Sequence, residues 1–494
     1  MSSSTEQLDF NHYLSRRRFD DDNDDQRDFL DLHRRLRQPY TIQTPLINDQ
    51  TMAGISLAQN YLIESPTFLS DYTNLLELDA SENELFDTEF LLYRSNDNQM
   101  ESSRPLVHPF LRRINLSYNH IEHLPVNLHY LRFLHTLDLS YNYLKDLPDN
   151  FGLLEQLHVL ILNDNHLNSF PKSFTRLEQL ECLNLSSNRF QSIDMMKNFP
   201  KLRTLAIDAN PLTRFPVLLH TCENLQEISA ANIQLEKLRE ITCEYFQLFP
   251  RLKKLNLSYN QLTNRFFSTL SRSFNVLEEF SLDHNQLNDL FSLISLTPSL
   301  SLIDLSFNLF THLPQGLHSQ LKILRLAHNH LQMDVNDCLQ LKSLQELDLE
   351  HNDIEDLPYQ FLQCTHLQLL NLSSNPLKQF PEILLQLRSL NQLLLHDNEF
   401  SQLPSYEFVR KYFHRTLNVL NFSRNHLQSN LHELTGLKAL RYLDLSDNHL
   451  SELHQDFRTM TCLQVLKLNG NRLTRVPLCL YQMSKENDVK YLGK

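Results

Sequence analysis

Apolar and polar residues alternate along this chain in a recurring phrase. LHTLDLSYNYLKDLP (134–148) and LHVLILNDNHLNSFP (157–171) align to give LxxLxLxxNxLxxLP, apolar at the first, fourth, sixth and eleventh positions, with asparagine at the ninth. LxL sets two apolar residues on one side of an extended chain, which predicts a short strand with one buried face. The asparagine follows at a turn, where its amide can satisfy main-chain groups that would otherwise be bare in the interior. LPxxLxxL then returns on the opposite side as an irregular or short helical segment, with Pro148, Pro171, Pro314, Pro358, Pro381, Pro404 and Pro477 setting its start.

The phrase recurs from Asn60 to Asn471, most often 23 residues apart, and makes about eighteen repeats when the irregular LQEISAANIQLEKL (225–238) is included. In that unit Ile233 stands at the asparagine position and Asn232 precedes it. Loss of the amide predicts an irregular joint, with a local change of curvature and, unless Asn232 bulges in or a water substitutes, backbone left unsatisfied at a cost of about 1–3 kcal/mol. The gap between Asn83 and Asn119 predicts an inserted surface loop near residues 86–110. Spacings are uneven after Ile233, and the wide one around YEFVRKYFHRTL (406–417) predicts one longer helix on the returning side.

Residues 1–50 form a charged segment ahead of the array. Phe29, Leu32 and Leu36 are spaced as on a helix, with acids before them and Arg34, Arg35 and Arg37 after, an order that suits the helix dipole. This segment is expected to be either a capping helix over the open apolar end of the first repeat or a solvated tail. Residues 484–494 read as a C-terminal tail.

Over residues 51–483 the phrase resembles the leucine-rich repeat family. Its LPxxLxxL form is similar to intracellular members, among them the Ras-pathway scaffolds of the suppressor-of-clear family. The resemblance implies an α/β solenoid, a horseshoe of about eighteen repeats with parallel strands on the concave face and helices or irregular coils on the convex one. It also implies a signalling context, with a small GTPase or a phosphatase among the partners.

Composition narrows the function classes. The chain is long for one ordinary core, and 41% of its residues are hydrophobic, which excludes disorder and fits an array in which each unit touches only its neighbours. Six glycines remove the material for Gly-rich phosphate loops, and HExxH, GxSxG and P-loop motifs do not occur. Neither catalysis nor a cofactor is expected. A net charge of −14 disfavours nucleic acid and points to a partner that presents cations. The N-terminus has no apolar core of a secretory signal, and no run of residues is apolar enough to insert in a membrane, so a soluble cytoplasmic protein is expected. Seven scattered cysteines, none in a CxxC pair, agree with a reducing compartment.

What the array offers is a surface. The third, fifth, seventh and eighth positions of the phrase alternate outward from the strand, and across the repeats they carry more acids than bases; the bases are Arg113, Lys254, Arg325, Arg424 and Lys467. Asp138 is one such acid, and Glu346, Asp348 and Glu350 share one strand, with Asp304 two repeats earlier. The eighth position adds Tyr118 and Tyr141 in neighbouring repeats, Tyr259 apart from them, and His284, Phe307, His328 and His351 in four successive repeats. Exposed aromatic rows are what interface anchors look like, and an acidic face steers a basic partner. Metal binding by His328 and His351 is not expected, since two ligands without a third make a poor site. The expected function is that of a non-catalytic intracellular scaffold or adaptor. The alternative is the recognition region of a leucine-rich repeat phosphatase or other enzyme whose catalytic domain is absent from this chain.

Overall fold

A computed structural model describes residues 28–31, 52–92, 107–194, 199–213, 221–235, 243–267, 273–290, 297–314, 317, 320–333, 342–403, 416–428, 431–486 and 490–492. The chain divides into two compact units, Met1–Ile241 with Tyr245–Asn260, and Thr242–Glu244 with Gln261–Lys494. In the first unit, strands from Asp28–Asp31 and Met52–Ser56 to Lys254–Asn256 each pair in parallel with the next strand along the chain. The second unit does the same from Glu279–Ser281 to Lys490–Leu492.

Most strands are three residues long because only the LxL part of the phrase alternates. Registry places leucine over leucine: Leu137 lies opposite Leu160, Leu160 opposite Leu183, and Leu183 opposite Leu205. All four are buried. Each such side chain removed from water contributes roughly 1.5–3 kcal/mol, so every repeat brings its own share of a continuous core.

On the returning side, Pro171, Pro358 and Pro381 each precede a 3-10 turn, namely Lys172–Arg176, Tyr359–Gln363 and Glu382–Gln386. These turns, with Phe151–Leu153 and Gln455–Thr459, direct Phe151, Phe174, Phe361 and Phe457 into the interior. Adjacent turns approach closely: a Cβ on Gly152 would meet the carbonyl oxygen of Ser173 at 1.8 Å, so only glycine fits there. Among the described residues the returning segments are mainly 3-10, and the one α-helix is Leu478–Glu486.

The asparagines join the repeats. Asn352 shares its Nδ2 hydrogens among the carbonyls of Leu349 (3.1 Å), Glu350 (3.2 Å) and, in the preceding repeat, Leu326 (3.0 Å). Its Oδ1 accepts from the amide of Leu331 at 2.9 Å. The same reach from one turn to the turn before it recurs along both units, for example at Asn142, Asn188, Asn308 and Asn448.

Ile233 is the missing rung, yet it does not interrupt the stack. Strands Thr204–Ala206, Glu227–Ser229 and Lys254–Asn256 pair residue for residue, and Asn232 has φ +53° like its equivalents in other repeats. This overturns the expected irregular joint, for a physical reason. Asn260 of the following repeat donates to the carbonyl of Ala230 at 2.8 Å and accepts from the amides of Ile233 and Leu235 at 3.1 and 3.2 Å. On the other side, the amide of Leu212, which has no asparagine to reach, donates to the carbonyl of Asn210 at 2.8 Å.

Three expectations about the ends and loops change. Asp28–Asp31 is a strand paired with Met52–Ser56, where the spacing of Phe29, Leu32 and Leu36 predicts helix; pairing with the open sheet edge overrides that local pattern. At the other end the expected tail instead takes part in the fold: Leu478–Glu486 is helical, and Lys490–Leu492 pairs with Val465–Lys467. Within the insertion, Glu89–Leu91 forms a 3-10 turn that buries Phe90 and Leu91, while residues 93–106 lie outside the described residues, as do the rest of 1–50 and the segment 404–415.

The rung geometry predicts that Ile233→Asn is far better tolerated than Ile228→Asn, although both isoleucines are fully buried. An asparagine at 233 would find the acceptors that its equivalents use; at 228, mid-strand, it would bury an amide without partners, at a cost of about 2–5 kcal/mol. Urea unfolding followed by circular dichroism measures the difference. Equal losses would contradict this account of the rung.

Candidate functional site

The eighth position of the repeat is where each strand turns. Its backbone is left-handed in every repeat, with φ between +51° and +58° from Gln59 to Asp447 and +69° at Gly470. For a residue with a Cβ this conformation costs about 1–2 kcal/mol, which the buried asparagine beside it offsets by bonding the turn's carbonyls. Side chains at this position stand in a row, because neighbouring strands lie ~4.8 Å apart and carry them in the same orientation.

In the first unit the row contains Tyr118 and Tyr141, whose rings stack with centroids 4.0 Å apart and planes within 8°. They stay 50% and 36% exposed. Burial, then the neighbouring Tyr118 and Asp164, hold the Tyr141 phenol well above the ordinary tyrosine range, so it remains protonated. A second row lies just past the asparagines: His120, Tyr143 and His166, with successive centroids 5.6 and 5.9 Å apart. Between the rows is an open cleft of about 530 Å³, lined also by Asn119, Asn142 and Asn165. The concave positions of the phrase do not include this second row. Its signal was an aromatic or imidazole directly after the asparagine in three successive repeats. Tyr259 has the same left-handed backbone but is half-buried in the last repeat of the unit, outside this cleft.

The second unit brings its four candidates together. His284, Phe307, His328 and His351 form one stack, with centroid spacings of 3.9, 4.0 and 4.5 Å. His284 Nδ1 is 2.8 Å from the Asp283 carboxylate. Burial and the adjacent His351 lower the His328 pKa, which favours its neutral form in the stack.

The acids divide into two kinds. Asp138, Asp304 and Asp348 occupy the fifth position, and their side chains are turned back onto the chain: Asp138 Oδ1 accepts from the amide and hydroxyl of Ser140 at 2.9 and 2.7 Å, Asp304 from the Ser306 amide at 2.9 Å, and Asp348 from the Glu350 amide at 3.0 Å. Asn115, Asn371 and Asn421 do the same job in other repeats, so a carboxylate is not required for it. Asp138 is only 7% exposed. The expectation that it faces solvent as a contact residue is corrected; short side chains at the strand's end bond the turn instead of reaching outward. Asp304 and Asp348 are half-buried.

Glu346 and Glu350 are longer and reach neighbouring strands. Arg325 lies between acids, 3.7 Å from Asp304 and 3.5 Å from Glu346. Glu350 accepts from Asn371 at 3.1 Å and sits 3.7 Å from His396. Negative charge here exceeds what one guanidinium balances. Burial, with Glu350 and Asp304 nearby, pushes Asp348 up to about 6 despite the Glu350 amide and Arg325, and burial and Asp283 raise Asp304.

Comparison with known proteins agrees with this geometry. The leucine-rich repeat family matches residues 87–212, as a leucine-rich repeat region, and residues 251–273, 319–377 and 439–460, as individual repeats. These are leucine-rich repeats. Similar solved structures include a leucine-rich repeat protein of Leptospira interrogans, at 24% identity and TM-score 0.55, covering 90% of this chain and 96% of that one. The ectodomain of the Arabidopsis receptor kinase HAESA, in complex with an extended IDA peptide hormone, has 23% identity and TM-score 0.54 over 86% of this chain and 71% of its own. TLR13 in complex with ssRNA13 has 18% identity and TM-score 0.54 over 91% of this chain and 74% of its own. At these identities the likeness establishes the fold. Comparison with the curated proteins gave no match. Among the described residues, no helix is long and apolar enough to cross a membrane.

The raised Asp348 value carries a signed prediction. An unfolded aspartate titrates near 3.9, so the folded protein holds the extra proton between about pH 4 and 6, and the penalty for ionising it is fully present above about 6. Asp348→Asn keeps an acceptor for the Glu350 amide and removes the charge. It is expected to stabilise the protein by up to ~3 kcal/mol at pH 7.5 and by only about 1 kcal/mol at pH 4.5. Thermal melting at the two pH values tests this; an equal change at both would exclude the electrostatic cause.

Proposed function

We propose that the chain is a non-catalytic scaffold or adaptor, acting in cytoplasmic signalling, that binds a protein partner with a basic surface. The observation that carries this reading is the under-compensated acid group of Asp304, Glu346, Asp348 and Glu350 beside the His284–His351 stack. A lysine or arginine brought to Asp348 would favour its ionised form, so binding would release a proton and weaken as pH falls through about 6. The stacked rings supply preorganised contact area, since their orientation is already set by the left-handed turns. Tyr118, Tyr141 and the cleft behind them form a further contact surface in the first unit.

Other observations support parts of the reading. A solenoid of this fold binds a peptide hormone in HAESA, which supports protein or peptide recognition. TLR13 binds RNA on the same fold, but a net charge of −14 opposes a phosphate backbone here. Cys182, Cys222, Cys364, Cys462 and Cys479 carry free thiols, as suits a reducing compartment. Burial pushes Cys364 up to about 12, consistent with a packing role rather than a nucleophilic one. The resemblance to Ras-pathway scaffolds suggests a small GTPase or a phosphatase as the partner.

Proximity labelling in cells compares wild type with Glu346→Gln/Glu350→Gln and with Tyr118→Ser/Tyr141→Ser. These substitutions spare the buried aspartates that hold the turns. The glutamate pair is expected to reduce the labelling of basic-surfaced partners by about tenfold or more, the effect of losing roughly 1.4 kcal/mol. An unchanged set of interactors in both variants would rule out these surfaces.

A further inference from the structure

Two neighbouring repeats of the second unit place three metal-ligating side chains together on the returning side. His432 begins the 3-10 turn His432–Gly436, and His454 stands directly before the turn Gln455–Thr459, whose second residue is Asp456. His432 Nε2 lies 3.6 Å from Asp456 Oδ2, and His454 Nδ1 lies 3.7 Å from the same oxygen. The three donor atoms fall within 4.8 Å of one another, and this is the one such group of three among the described residues. All three residues are half-buried, open enough to admit an ion and held by the stacking of one turn on the next.

We propose that His432, His454 and Asp456 form a binding site for a divalent transition-metal ion of the zinc class, which staples the two repeats. Ligand atoms ~2.0–2.2 Å from a tetrahedral zinc stand roughly 3.4 Å apart; the two His–Asp456 separations of 3.6 and 3.7 Å are within a few tenths of an ångström of that, and the two histidine donors, at most 4.8 Å apart, reach it by rotation of their rings. Two imidazoles and one carboxylate suit zinc, cobalt or nickel, whereas magnesium and calcium call for oxygen ligands. Three protein ligands leave a tetrahedral ion one further position for water or a partner's side chain.

Two features separate this cluster from ordinary contacts between repeats. His123–Asp146 and His330–Asp353 also bridge repeats, each at 3.7 Å, but as exposed pairs without a third donor in a group. A His–Asp pair is what adjacent repeats readily make; the third ligand is what sets this place apart. The second feature is His454 itself. Where Pro171, Pro358 and Pro381 precede their turns, this repeat has a histidine in the same extended conformation, with φ −64°. Its Nδ1 accepts the Asp456 amide at 3.2 Å, which requires the lone pair a metal ligand needs; coordination exchanges that long hydrogen bond for a metal bond.

Cobalt titration of the untagged, chelator-treated full chain tests the site, read by visible ligand-field bands, with zinc competition and thermal melting alongside. Wild type is expected to take up one cobalt with the intense bands of tetrahedral coordination, to lose them to zinc, and to melt higher with zinc. His432→Ala removes one ligand, and His454→Pro removes another while restoring the residue other repeats use at a φ proline accepts. Each should weaken binding by roughly tenfold or more and abolish the zinc-dependent rise in melting temperature, with metal-free melting close to wild type. Should either fail to fold, Asp456→Asn provides the same comparison. His330→Ala should leave binding unchanged. Absence of zinc or cobalt binding by wild type, or binding that survives both ligand substitutions, would overturn the proposal.

Discussion

The buried asparagine between successive turns is the interaction on which the remainder of the molecule depends. A chain that bends sharply after three strand residues leaves carbonyls and amides pointing into a leucine-filled interior, where an unmet group costs about 1–3 kcal/mol. One primary amide per repeat meets several of them at once, in its own turn and in the turn before. Repeats are thereby tied by directional bonds as well as by apolar contact. Ile233 shows how far the arrangement tolerates loss: the next rung serves one side, and a local bond within the Asn210 turn serves the other.

That same amide decides what the surface looks like. To bring the asparagine inward, the preceding residue must adopt a left-handed backbone, and its side chain is then displayed in a fixed direction. Rows of tyrosine, histidine and phenylalanine follow from a structural need of the interior. Carboxylates respond to the same geometry. At the fifth position Asp138, Asp304 and Asp348 are drawn back to bond the turn, and burial raises the pKa of these three; two residues to either side of Asp348, Glu346 and Glu350 keep their reach. Surface chemistry and fold stability are therefore coupled in this protein, and a binding residue cannot be chosen by its charge alone.

Much of the architecture was legible because it is periodic. Leu137, Leu160 and Leu183 announce a stacked core through spacing alone, and the asparagines announce the turns. The stacking of Tyr118 on Tyr141 and of Phe307 between His284 and His328 also follows from shared position in successive repeats. Less legible were features that break the period or depend on side-chain length. Asp138 reads as an outward acid, yet a short side chain at a strand's end bonds Ser140. Phe29 has helical neighbours in sequence, but the open edge beside Met52–Ser56 draws it into a strand. His120, Tyr143 and His166 lie outside the strand positions, so alternation says nothing about where they point.

The sequence by itself determined the repeat, the short strands, the buried leucines and the asparagine turns, because each follows from a local pattern with a fixed period. Tertiary structure alone decided which polar groups meet. Whether Asn260 could serve Ile233, whether Arg325 would lie between Asp304 and Glu346, and whether His432 would come within reach of Asp456 depend on distances across repeats. Those distances are set by strand spacing and by the packing of the returning turns, and neither is encoded in any single repeat.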